Sequence, residues 1–505
     1  VLSMGHRIAS KAIARGIPAT QSIGESAPQP IRVSGKERFT HLVSATLLWP
    51  LGLGGMLFGT CELLGLLPST AGNFPATALM WILAYPAWLS VTALFGAGVV
   101  IAKQVTLGKL SEGEAEEDYP IALPLIRNLC AMVRLINWLW PRPLRLKFSV
   151  YMGAKIHPNT VTDESFMDLA YADLFTREDG TFFSSAAFLE FTQLENGRRV
   201  FHPIKLSKGS YVGAYSTIVG PQTISPLTLV GACSALDAKN TETEAGALIG
   251  VPARPVPLRM GDVDPDAFTV DPAGLRRLNA MADLHRYLLF TLTVSVSSGT
   301  VALVSSSSAV AALPTHLSHA LYLFGAWFGV VAAFTALVGS MARSLRRKVD
   351  ANPRLTQEGI GRDNPLLGLW ATSLFHMLPL SMMTDILSGT QLKTWVARLL
   401  GADVGRGVYL DHGIGLSDLP YLTLEDDVSI NEGAALIAHS ELPNGNISFK
   451  PLHLGSQSSV LWSGYLVGGT KLPRGAILGS LSRPFDSQTL DEQTEYNNTP
   501  CRRKS

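Results

Sequence analysis

His439 stands in Ala438-His439-Ser440-Glu441, shortly after the polar run Asp426-Asp-Val-Ser-Ile-Asn-Glu-Gly433. An imidazole held by a carboxylate through one ring nitrogen can accept a proton at the other near neutral pH, which is the chemistry of a general base. Glu441 or Glu432 is expected to be the carboxylate that holds and orients the ring through the nitrogen not used as base, and Asn431 to donate a hydrogen bond to a substrate. His412, directly after Asp411, is a second candidate, whereas His157, His202 and His453 are expected to be structural. No metal site is expected. The four cysteines Cys61, Cys130, Cys233 and Cys501 include no CxxC pair, which excludes a cysteine zinc site and a disulfide framework alike.

The elements that must hold these residues show an unusual period. Val404, Leu410, Leu416, Leu422 and Val428 are aliphatic at intervals of six, as are Leu454, Val460, Leu466, Leu472 and Leu478. Leu206, Val212, Ile218, Ile224 and Val230 repeat the pattern earlier in the chain. A strand repeats every two residues and a helix every three to four, so a period of six fits a coil in which each short strand of a triangular turn supplies one inward side chain. The two regions are copies. A shift of 248 places Gly153-Ala154 on Gly401-Ala402 and Asp163 on Asp411; after a one-residue gap Glu178-Asp179 meets Glu425-Asp426, and the 248 register returns from Asn196-Gly197 on Asn444-Gly445 through Gly231 on Gly479. The first copy has Phe191 or Thr192 where the second has His439, with Glu190 and Glu195 nearby. It is expected to lack a histidine-based site and to supply a wall or a scaffold instead.

The rest of the chain is apolar in blocks. Only 16% of the 505 residues are charged, against about 25% in an ordinary soluble domain, and mean hydropathy is +0.22. A net charge of +1 excludes a protein built to grip nucleic-acid phosphates. Phe39–Leu67 with Ala76–Ala102, and Tyr287–Leu313 with Leu317–Met341, read as two transmembrane helical hairpins. Their tips, 68–74 and 314–316, carry no Lys or Arg, while residues 1–38 hold Arg7, Lys11, Arg15, Arg32, Lys36 and Arg38. The positive-inside rule therefore puts both termini and both polar regions in the cytosol. Ile121–Trp140 and Pro365–Leu387 are amphipathic enough to be interfacial helices, with Trp138, Trp140 and Trp370 at headgroup depth. Residues 1–38 lack the apolar core of a signal peptide, and the opening Val1 suggests a piece of a longer chain.

The expected organisation is a cytosolic segment (1–38), a transmembrane hairpin plus interfacial helix (39–140), a coil domain (150–257), a linker (258–284), a second hairpin plus interfacial helix (285–388), a second coil domain (401–485) and a disordered tail (486–505). Glu62, the acidic run 112–118 and Ser305–Ser308 have structural readings, and the glycosylation patterns at Asn446 and Asn497 are expected to stay unmodified in the cytosol.

Ile249-Gly-Val-Pro-Ala-Arg-Pro255, with a degraded copy in Leu478-Gly-Ser-Leu-Ser-Arg-Pro484, resembles the sequence with which hexapeptide-repeat acyltransferases leave their left-handed parallel β-helix. Combined with paired membrane hairpins, the tandem copies resemble the C-terminal region of non-ribosomal-peptide-synthetase-like proteins of the ε-poly-L-lysine synthetase kind, over nearly all of residues 39–485. That resemblance implies tandem left-handed β-helices between membrane hairpins. It also implies transfer of an acyl or aminoacyl group from a phosphopantetheinyl carrier or CoA thioester to an amine or hydroxyl, with a histidine as base and no tightly bound cofactor or metal. Upstream adenylation and carrier domains, membrane lipid, and further β-helices in a homo-oligomer or pseudo-trimer are the partners it implies. The alternative is a non-catalytic membrane scaffold or export conduit.

Overall fold

The structure is a computed structural model. It describes residues 74–256 and 272–503, apart from 138, 163–167, 184–186, 238–245, 306–309, 311–313, 353, 356–358, 361–363, 365, 367–368, 371–379, 381–383, 417, 442–446, 485–487 and 498–500. Within residues 1–73 it describes 13–15, 20–22, 35–43, 52, 55 and 56. The chain divides into two compact units, Val1–Pro272 and Ala273–Ser505.

Each unit contains a coil of short strands stacked into three parallel sheets. In the first, Leu206 faces Ile224, Val212 faces Val230 and Ile218 faces Leu236, each partner eighteen residues on, or three periods of six. These six side chains are fully buried and form the axis of the coil. A turn built this way buries one aliphatic column per face, which is why the six-residue spacing alone reveals it.

The spacing breaks at two places in each unit. In the second unit Val404, Leu410 and Leu416 face Leu424, Ile430 and Leu436, twenty residues on, and Leu424 then faces Leu454, thirty on, before eighteen returns with Leu454 on Leu472. The expected inward run Leu416, Leu422, Val428 is therefore off by two residues. Leu424 and Ile430 are the stacking positions, and Leu422 and Val428 are also buried because residues two apart on a strand face the same way. The first unit has the same rhythm, with Ile156 facing Arg177, twenty-one on, and Arg177 facing Leu206, twenty-nine on. The longer break in each unit is an antiparallel hairpin leaving the coil, Thr192–Glu195 with Arg198–Phe201 in the first and His439–Glu441 with Ile447–Phe449 in the second.

Each unit also holds long helices that precede its coil in the chain. Among the described residues two, Ile82–Thr106 and Ala320–Asp350, are long and apolar enough to cross a membrane. The expected span Phe39–Leu67 lies almost wholly outside the described residues. The helix Phe74–Thr106 ends on the first coil, where buried Lys103 donates to Met152 O (2.6 Å) and pairs with Asp173. Gly153 sits at this junction with φ +117°, and a Cβ there would collide with the Asp173 carboxylate. Gly401, its copy, has φ +109° and would carry a Cβ 3.0 Å from Pro420.

Three expectations are corrected. The helix Ala122–Asn137 does not lay its apolar face on lipid: Leu123, Ile126, Met132 and Val133 are buried, and Trp140 just beyond it is fully buried, donating from Nε1 to Thr92 Oγ1 (2.9 Å), while Trp138 lies outside the described residues. Its apolar face is covered by protein. The tail 486–505 is not disordered where described. Glu495–Asn497 adds a parallel strand to Ile477–Leu478 and pairs with Arg502–Arg503, because Leu490, Tyr496 and Cys501 bury against the open end of the coil. The linker 258–284 is in part helical, since a helix runs over Pro272–Ser305; proline at its first position costs no hydrogen bond, and the Ala, Leu and Arg that follow favour helix.

Candidate functional site

The two breaks in the second unit fall at one corner of the coil. The strands Gly415–Leu416 and Ala435–Ile437 are stacked neighbours, and the chain leaves the first into Asp418 and the second into His439. Asp418 has the left-handed conformation (φ 54°, ψ 36°) that a short polar side chain tolerates better than most, and immediately precedes the one-turn helix Leu419–Tyr421. That turn directs its carboxylate at the start of the hairpin. His439 Nδ1 lies 2.6 Å from Asp418 Oδ2, and Trp370 Nε1 donates to Asp418 Oδ1 at 2.9 Å.

The Asp418 side chain is 3% exposed and that of His439 21%. A buried carboxylate facing Nδ1 fixes the tautomer with the proton on Nδ1, leaving Nε2 as the acceptor. Nε2 has no hydrogen-bond partner among the described residues. Aromatic rings hold the imidazole in place: Trp370 meets it edge-on at 4.8 Å, Phe449 lies at 6.4 Å, and Tyr421 stacks on Phe449 at 5.3 Å. Burial pushes the Tyr421 hydroxyl up, so it stays un-ionised. A carboxylate, an oriented imidazole and an open second nitrogen are what abstraction of a proton from an incoming nucleophile requires.

The other expected site residues lie elsewhere. Asn431 follows the strand Ser429–Ile430, one coil face before His439, and its Oδ1 accepts from Ser429 Oγ (3.2 Å). Glu432 pairs with His412 Nε2 at 3.1 Å, not with His439. Glu441 shares the His439 strand, its backbone opposite Ile447. Asp418 and Trp370 were not among the expected residues. The available signal for Asp418 was that it stands where the period of six fails. His157, His202 and His453 pair with Asp179 (3.3 Å), Glu195 (2.8 Å) and Glu425 (3.0 Å). Among the described residues no group of three or more His, Cys, Asp or Glu side chains is placed to hold a metal ion.

The first unit resolves the ambiguity at its corresponding corner. Thr192 opens its hairpin opposite Phe201, as His439 does opposite Phe449, so Thr192 takes the histidine's place. Asp168 precedes the turn Leu169–Leu174 as Asp418 precedes its own, but its side chain accepts from Ala170 N (3.2 Å) and from Arg127 Nε (3.1 Å).

No family model matches the chain. It is 25% identical over 359 residues to Delta-poly-L-ornithine synthetase of Acinetobacter baumannii (strain AB307-0294), an alignment covering 68% of this chain and 26% of that protein. The chain thus spans about a quarter of that relative's length. Similar solved structures include a maltose O-acetyltransferase from Clostridium difficile 630 (12% identity, 27% of this chain and 87% of that one, TM-score 0.23). Another is a serine acetyltransferase in complex with CoA (14% identity, 42% of this chain and 98% of that one, TM-score 0.18).

Proposed function

We propose that the second unit carries the base of an acyl or aminoacyl transferase, in which a thioester donor, carrier-bound or CoA-bound, acylates an amine or hydroxyl acceptor. The observation that carries this reading is the Trp370–Asp418–His439 chain, with Nε2 left to accept. His439 Nε2 takes the proton as the acceptor's nitrogen or oxygen attacks the thioester carbonyl. The new C–N or C–O bond forms, the C–S bond breaks, and the imidazolium returns the proton to the leaving thiolate. Asp418 stabilises the imidazolium and keeps the ring from turning. A thioester is already activated, so a positioned base and proximity suffice without a metal.

Likeness to a synthetase of an amino-acid polymer supports an amine acceptor and an aminoacyl donor. The exit sequences beginning at Ile249 and Leu478 support left-handed winding of both coils. The two apolar helices support work at a membrane surface. Thr192 in place of histidine argues against a base in the first unit.

Replacing the base is the direct test. His439→Ala should lower transfer from a thioester donor to an amine by about 10²–10⁴-fold with unchanged expression and membrane insertion, because the ring lies outside the aliphatic columns. Full activity in His439→Ala would refute the assignment.

A further inference from the structure

The corner of the first unit that corresponds to the His439 site is not filled. It opens into a cavity of about 240 Å³, bordered by Glu116, Arg127, Asp168, Glu190 and Arg199, with Leu189 and Phe191 among its walls. That volume is below the ~300–1,000 Å³ of sites for drug-sized ligands. It suits a small molecule or the end of a chain.

The charges decide which. Both guanidiniums are already taken by carboxylates: Arg127 by Asp168 (3.1 Å) and Glu116 (3.8 Å), Arg199 by Glu116 (2.6 Å) and Glu117 (3.3 Å). An incoming anion would have to displace one of them. Glu190, by contrast, receives only neutral donors, Thr192 N (3.2 Å) and Thr192 Oγ1 (2.6 Å), and no cation among the described residues. Burial raises the Glu116 carboxyl, with the Tyr171 hydroxyl and two guanidiniums opposing. Of the charged groups that line the cavity, the three carboxylates Glu116, Asp168 and Glu190 outnumber the two arginines. The site is one cation short.

Its walls limit the shape of that cation. Leu189 and Phe191 are buried, and Phe191 packs on Tyr171 with ring centroids 6.1 Å apart, giving an apolar side suited to methylene groups. We infer that this cavity binds the primary ammonium of a linear alkylamine, the kind of group a basic amino-acid side chain presents, with Glu190 taking the charge and Leu189 and Phe191 the stem. The inference rests on the reading of an amine acceptor for its biological sense, and makes the first unit a histidine-free holding site for that acceptor. Its geometry stands without that reading.

The test is equilibrium dialysis of radiolabelled 1,5-diaminopentane against the purified full chain in detergent at low ionic strength, with pentanoate as the anionic control. The wild-type protein should bind the diamine saturably and pentanoate not at all. Glu190→Gln should weaken diamine binding by about tenfold or more, because a charge-assisted hydrogen bond is lost. Glutamine keeps the Oε1 acceptor for Thr192, so the hairpin should stay intact. Glu195→Gln, which removes a carboxylate on the same hairpin outside the cavity, should bind as the wild type does. No saturable diamine binding, equal binding by Glu190→Gln, or binding of pentanoate instead would each overturn the inference. Transfer assays on His439→Ala separate the two readings. Glu190-dependent binding with undiminished transfer would leave this inference standing and remove the proposed base, whereas lost transfer without Glu190-dependent binding would do the reverse.

Discussion

At the scale of single residues, the site depends on a carboxylate that is distant in sequence from the imidazole it serves. His439 was legible because a histidine beside polar residues at a coil corner is an evident candidate. Its partner was not, because the nearest carboxylates in sequence, Glu432 and Glu441, were the natural choices. The coil instead brings Asp418 to the ring from the preceding turn and gives Glu432 to His412. A positioning role predicts how Asp418→Asn should behave. An asparagine amide facing Nδ1 favours the tautomer with Nδ1 bare and Nε2 protonated, so kcat for transfer should fall by about 10²–10⁴-fold while KM for the amine changes little. Trp370→Phe, which removes one hydrogen bond and keeps an aromatic ring, should cost far less. A rise in KM with unchanged kcat in Asp418→Asn would show that Asp418 contacts substrate rather than orienting the base.

At the scale of elements, a period of six announces a coil but cannot say where its turns are lengthened. Aliphatic residues flank the strand positions on both sides, so the run through Leu422 and Val428 stays buried while the true register slips to Leu424 and Ile430. The slip is where the site is made: one lengthened turn supplies Asp418 and the next supplies His439. The turns are tied by carboxylates that recur in both copies. Glu425 accepts from the Ser456 hydroxyl (2.8 Å) and backbone N–H (2.9 Å), with His453 beside it, and these hold its carboxyl below the usual range. Glu178 is lowered in the same way by the Lys205 side chain and the Lys208 backbone N–H. A carboxyl lowered in the folded state contributes stability above its unfolded value, here 4.5, and loses it as pH falls through the folded pKa. Thermal stability should therefore drop on acidification below about pH 4.5. In Glu178→Gln and Glu425→Gln the acid-side loss should be smaller, with Tm near neutrality lowered by about 1–3 °C each, since both groups are partly exposed to solvent. Circular dichroism melts across that range check it, and an unchanged acid profile in both variants would show that the ties contribute nothing.

At the scale of the whole molecule, the basic residues that suggest a membrane orientation also fasten the coils. Lys103, at the end of the helix Phe74–Thr106, is buried against Asp173 and Met152 O of the first coil. In the second unit Arg343 and Arg346, near the end of the helix Thr315–Asp350, donate to Leu399 O and Pro420 O. A coil fixed to the cationic end of a membrane-crossing helix lies on the same side as that end, which the positive-inside rule predicts to be the cytosol. Repeat and hydropathy made the two copies and their helices legible. They could not show that lysine and arginine at the junction are structural contacts, since loop charges in a sequence look the same whether solvated or docked. The expected outcome is that each coil is cytosolic and the tips near Ser69 and Thr315 are on the opposite side. In a background with the native cysteines replaced, an impermeant maleimide applied to intact cells should label Ser69→Cys and Thr315→Cys. It should label Lys155→Cys and Asp403→Cys, at exposed coil positions, only after the membrane is permeabilised. Labelling of Lys155→Cys or Asp403→Cys in intact cells would place that coil outside, where intracellular thioester donors cannot reach it, and the proposed transfer would lose its substrate.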